Sequence, residues 1–149
     1  MLFKNKTVLL TALALVAICM SWAQNNPPEI IAAGNINYCP GSNVPIVSNV
    51  SITDPDTGDT TLDVVVIQIS QGYSQGEDVL MLSNLQPNII ATWSAIQGEL
   101  TLSGTASFSE YETAILAVVF QTSQTSFNED KTISINLGNA NYLPSTGHY

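Results

Sequence analysis

From Val44 onward the apolar residues fall in short runs with polar punctuation, not along a helical stripe. The strongest run is Leu62 to Ser70, "LDVVVIQIS", rich in branched side chains and partly continuous in apolarity, as a strand covered on both faces would be. Val44 to Thr53 also reads as strand, broken early by Pro45. The segments "VLMLS", "NIIATW", "GELTLSG" and "KTISINLG" follow, each bounded by Gly, Asn, Pro or Ser. Strands at this spacing predict an all-β, two-sheet, Greek-key-like sandwich of about seven strands. One stretch, "SFSEYETAILAVVFQT", departs from the period of two. Ser109 followed by Glu112 fits a capping box, and Tyr111, Ile115 and Val118 share one helical face. This predicts one short helix near 109–117 that runs into a strand at Val118 to Thr122. The predicted core is Val64, Val66, Ile69, Leu80, Leu82, Ile90, Leu100, Leu102, Ile115, Val118, Phe120, Ile133 and Ile135.

The first 23 residues read as an export signal. Lys4 and Lys6 start it, Val8 to Met20 form an apolar stretch interrupted only by Thr11, and Ser21-Trp22-Ala23 is a small-x-small cleavage site. The apolar run is short of the roughly 20 residues that span a bilayer, and Ile18 before Cys19 does not suit a lipid-anchoring signal. Secretion or display at the cell surface is expected, with membrane contact only through the signal. Residues 24–43 then read as an extended lead-in, opening on "QNNPPEI", and residues 44–138 as one domain. Residues 139–149, "NANYLPSTGHY", read as a linker or the start of a following domain, which makes a longer protein the expected context.

Charge removes several classes of partner. Beyond the signal, Lys131 alone opposes twelve acids, a formal charge of −11. Binding to a phosphate backbone needs lysine and arginine, so nucleic acid is excluded as a partner. Cys39 is the one cysteine past the signal, so no internal disulfide is available. It is expected either to pair with another chain or domain or to be a buried thiol.

Three aspartates within "SITDPDTGDTTL" are the clearest chemical feature. Asp54, Asp56 and Asp59 can turn carboxylate oxygens toward one point, with Pro55 and Gly58 supplying the bend. Calcium takes six to eight oxygens at about 2.3–2.6 Å. A polar turn between strands wants the same residue types, and both readings stay open here. Asp63 joins the three only if the following strand begins late, and Glu77-Asp78 either completes such a site or solvates a turn. Catalysis is not expected: the one histidine, His148, is penultimate, Cys39 has no base nearby, and Glu110 and Glu112 belong to the helix start. Trp93 and Tyr73 are the two aromatics suited to a sugar platform, although Trp93 within "NIIATW" fits the core better. Thr60 lies in "DTT", which is similar to an O-glycosylation acceptor of exported Bacteroidetes proteins.

"ITDPDTGDTTLDVVVIQIS", "GELTLSGTAS" and "SEYETAILAVVFQTS", taken in order over about residues 44–137, resemble the cadherin-like repeats of large bacterial surface proteins. "NYCPGSNVPI" and "NYLPSTGHY" are similar to exported flavobacterial proteins in which this domain precedes a C-type lectin domain and a type nine secretion sorting tail. The resemblance implies a non-catalytic extracellular adhesion or spacer module, with calcium at Asp54, Asp56 and Asp59. The partners it implies are other domains of the same longer chain and cell-surface glycans or proteins. Two alternatives are a carbohydrate-binding region and the accessory domain of an exported hydrolase. The chain departs from cadherins in lacking the glutamate-bearing and "DxNDN"-like linker motifs, so one calcium ion or none is expected.

Overall fold

The computed structural model describes residues 25–34, 37–39, 41–126, 130–139 and 142–147. Residues 1–24, where the export signal is expected, and His148 and Tyr149 lie outside the described residues. Among the described residues the fold is an all-β sandwich with one short helix. Ten strands are present among the described residues, three more than the pattern predicts: β1 (Glu29–Ala33), β2 (Val44–Pro45), β3 (Asn49–Thr53), β4 (Thr61–Gln71), β5 (Asp78–Leu82), β6 (Ile90–Ser94), β7 (Glu99–Ser107), β8 (Val118–Thr122), β9 (Thr132–Asn139) and β10 (Tyr142–Gly147).

They form a five-stranded sheet ordered β10-β9-β4-β7-β6, a three-stranded sheet ordered β2-β8-β5, and a β1-β3 pair. All pairings are antiparallel. The chain changes sheet between β4 and β5, β5 and β6, β7 and β8, and β8 and β9, so the two larger sheets are interleaved in sequence. Their buried side chains form one core: Val65, Ile67, Leu102 and Ile135 from the larger sheet, Leu80 and Phe120 from the smaller. Ile30, Val50 and Ile52 of the β1-β3 pair extend it.

Two of the additional strands come from segments read as connections. Ile30 in the lead-in is apolar enough to be buried, and pairing Glu29–Ala33 with β3 makes residues 29–33 part of the fold. Likewise β10 extends the five-stranded sheet by pairing with β9, so residues 142–147 continue the sandwich.

The core differs from expectation in register. On β4, Val65, Ile67 and Ile69 are buried, whereas Val64 and Val66 are half-buried on the other face. Leu62 also faces inward, and the β4-β7 register shifts between Leu62 and Val64. The extra residue lies on β7, where three steps from Ala106 to Ser103 oppose two on β4, and across this shift the inward set of β4 passes from Leu62 to Val65. Ile90 is 70% exposed, while its neighbour Ile89 is buried at the turn closed by the Gln86–Ile89 bridge. Leu82 and Ile133 are only half-buried at the margin of the core.

The helix, α1 (Phe108–Leu116), is capped two residues earlier than the spacing suggests. Ser107 is the N-cap: its hydroxyl accepts from the Glu110 amide at 3.3 Å, and the Glu110 carboxylate accepts from the Ser107 amide at 2.8 Å. Ser107 still has the extended backbone of β7, which lets it end the strand and begin the helix. Glu112 instead accepts from the Ile52 amide at 2.7 Å and ties α1 to β3. Tyr111, Ala114 and Ile115 form the buried face.

Candidate functional site

The loop between β3 and β4 brings the three aspartates together. One ligand oxygen from each of Asp54, Asp56 and Asp59 lies within 4.8 Å of the others; Asp54 and Asp56 are half-buried and Asp59 is exposed. The loop is shaped by its own backbone. The Asp56 amide donates to Asp54 Oδ1 at 2.8 Å, and the Asp59 amide donates to the Asp56 carbonyl at 3.1 Å. Asp56 also holds the N-terminal segment, because its carboxylate accepts from the backbone amide and the side-chain amide of Asn26.

These residues fit a hard cation. The donors are all carboxylate oxygens, and an oxygen already accepting one hydrogen bond keeps a second lone pair. Calcium's remaining positions would fall to carbonyls or water, to which exposed Asp59 gives access. Asp63 is not part of this group. β4 begins at Thr61, ahead of Asp63, and Asp63 Oδ1 accepts from the Thr105 hydroxyl on β7 at 2.7 Å.

The second acidic pair also lies elsewhere. Glu77 is exposed and accepts from the Gln124 side chain at 2.9 Å. Asp78 is a buried charge, 1% exposed, at the start of β5. Its Oδ2 sits 2.7 Å from Lys131 Nζ and also accepts from the Ser74 amide at 2.7 Å. Lys131 donates further to the Gly72 carbonyl at 2.6 Å and lies 6.0 Å from the centre of the Phe120 ring. Asp78 Oδ1 is buried without a hydrogen-bond partner. The turn reading fails for Asp78 because burial needs a counter-ion, and Lys131 supplies it. Two sequence signals mark this pair: an aspartate opening the apolar run "DVLML", and the one lysine after Lys6.

Tyr73 and Trp93 do meet, but on each other. Their rings stand edge-to-face with centroids 6.3 Å apart, both partly buried against the core. Tyr73 also donates its hydroxyl to the Ala95 carbonyl and covers Gly98, whose φ of 65° admits the tight turn before β7. Burial raises the Tyr73 phenol above its ordinary value, and the Asp78 charge adds to this. Cys39 is exposed, contrary to a buried thiol, and Thr60 is exposed beside the aspartate loop. Among the described residues, no helix is long and apolar enough to cross a membrane.

No family model matches this chain. No solved structure matches it. Among curated proteins it is similar to one named Halomucin, from Haloquadratum walsbyi (strain DSM 16790 / HBSQ001), with 32% identity over 110 residues. The match covers 68% of this chain and 1% of that protein, so the chain spans a very small fraction of its relative's length. Such a match is compatible with one extracellular module of a larger protein.

Proposed function

We propose that this chain is a non-catalytic adhesion or spacer module of a larger secreted or cell-surface protein, stabilised by one calcium ion in the loop between β3 and β4. The observation that carries the reading is the convergence of Asp54, Asp56 and Asp59 within 4.8 Å. Three carboxylates in so small a space repel one another, and a divalent ion relieves that repulsion while binding oxygen donors it prefers. The ion would also brace the N-terminal segment, since Asp56 holds Asn26. The likeness to a short stretch of a far longer protein supports a module among others. The ordered motifs similar to cadherin-like repeats support the same role. Other domains of the chain, and glycans or proteins at the cell surface, are the partners this reading assigns.

Thermal unfolding in calcium and in chelator tests it. Binding to the folded state alone raises stability by roughly 2.7 kcal/mol at a hundredfold excess over the dissociation constant. The midpoint is expected to rise in calcium, and the rise to vanish in Asp54→Asn/Asp56→Asn. Asp59→Asn, which leaves the Asp56–Asn26 contact in place, should weaken it as well. An unchanged wild-type midpoint at millimolar calcium would reduce the loop to a strand connection.

A further inference from the structure

We propose that Lys131 and Asp78 condense to an amide, a covalent staple between the two larger sheets that forms without any added reagent. The groups are already in contact, with Nζ 2.7 Å from Oδ2, the Asp78 side chain fully shielded and that of Lys131 12% exposed. Asp78 opens β5 in the three-stranded sheet, and Lys131 immediately precedes β9 in the five-stranded sheet. The bond therefore links residues 53 apart in sequence across the sandwich.

Burial favours the chemistry. Two charges drawn out of water beside the Phe120 ring carry a desolvation cost that the uncharged amide product does not. As the reaction begins, one proton passes from the ammonium to the carboxylate. The neutral amine then attacks Cγ of the carboxylic acid and forms a tetrahedral centre. A second proton leaves nitrogen, both protons gather on the departing oxygen, the C–O bond breaks, and one water leaves. One N–C bond replaces one C–O bond, with no change in oxidation state.

The surroundings distinguish the two carboxyl oxygens. The Ser74 amide lies 2.7 Å from Oδ2 and stabilises negative charge there in the tetrahedral centre, so Oδ2 is the oxygen retained. Oδ1 is buried without a hydrogen-bond partner, a costly arrangement that its departure as water removes. The staple also supplies a cross-link that cysteine cannot, because Cys39 is the one cysteine beyond the export signal.

The sequence provides a direct test, since Lys131 is the one lysine or arginine after Lys6. Trypsin does not cut after an acylated lysine. The exported wild-type protein, denatured, should resist trypsin at Lys131 and weigh one water less than its sequence. Digestion with a different protease should release a branched peptide joining Asp78 to Lys131. Lys131→Arg should recover the full sequence mass and be cut after residue 131. A wild-type chain of full sequence mass that trypsin cuts after Lys131 overturns the proposal, as does a water deficit carried by any other peptide. Because the decisive readout is made on denatured wild-type protein, it does not depend on the variant folding.

Discussion

Tyr111 shows how one side chain can bind a strand, a helix and a pH response together. Its ring is fully buried and its hydroxyl donates to the Gly104 carbonyl at 2.7 Å, so the helix is pinned to β7. Gly104 is itself constrained, with φ of 136° and the Asn88 carbonyl 2.0 Å from where a Cβ would stand. Burial, and secondarily the Asp63 charge, push the Tyr111 phenol up to about 12. An unfolded tyrosine titrates near 10. Between those values the folded chain keeps a proton that the unfolded chain has lost, so stability is complete below about pH 10 and falls as pH rises toward about 12. Tyr73 shifts in the same direction and adds to the loss. Tyr111→Phe should cost about 1 kcal/mol at neutral pH through the unpaired Gly104 carbonyl. The same variant should flatten the alkaline decline, as measured by denaturant midpoints across the pH range. A decline as steep as wild type would mean that Tyr111 does not govern it.

At the scale of elements, α1 depends on one cap. Nine residues are too few for a stable isolated helix, so the Ser107–Glu110 box and the buried face of Tyr111, Ala114 and Ile115 must hold it. Hydrogen bonds from Ser107, and one from Asn88, keep the Glu110 carboxyl below the usual carboxylate range. Ser107→Ala should lose about 1 kcal/mol. Ser109→Ala should stay within about 0.5 kcal/mol, since Ser109 is an exposed helix residue and not the cap. Urea midpoints of the two variants, measured side by side, distinguish these positions; equal losses would return the cap to Ser109. The pattern of the sequence showed that a helix interrupts the strands here. It could not choose between two Ser-x-x-Glu pairs, "SFSE" and "SEYE", because both satisfy the same local rule. The choice follows from where β7 stops pairing with β4, at Ser107 opposite Thr61.

Over the whole molecule, the lead-in belongs to the structure. Ile30 is buried, Asn26 is held by Asp56, and the Tyr38 hydroxyl donates to the Thr122 carbonyl at 3.0 Å while its ring meets Phe120 edge-on. Removing residues 25–33 should therefore cost at least about 2 kcal/mol from the burial of Ile30 alone, and should leave β3 without its β1 partner. Guanidinium unfolding of the shortened and complete chains checks this; equal stability would make the segment a linker after all.

What the sequence by itself determined is local. Period-two runs and turn residues located six of the seven predicted strand segments as single strands, including β8 at Val118 to Thr122, because side-chain alternation and turn chemistry act over a few residues; Val44 to Thr53, read as one strand, divides into β2 and β3 of different sheets. The aspartate triad was legible for the same reason: its members lie within six positions and close on one another through their own loop. Tertiary structure decided the rest. Pairing of β4 with β7 and β9 fixed which valines face inward, and pairing with β3 drew the lead-in into the fold. It also set Asp78 against Lys131. Which distant strands become neighbours depends on the packing of both sheets at once, and no short window of sequence contains that information.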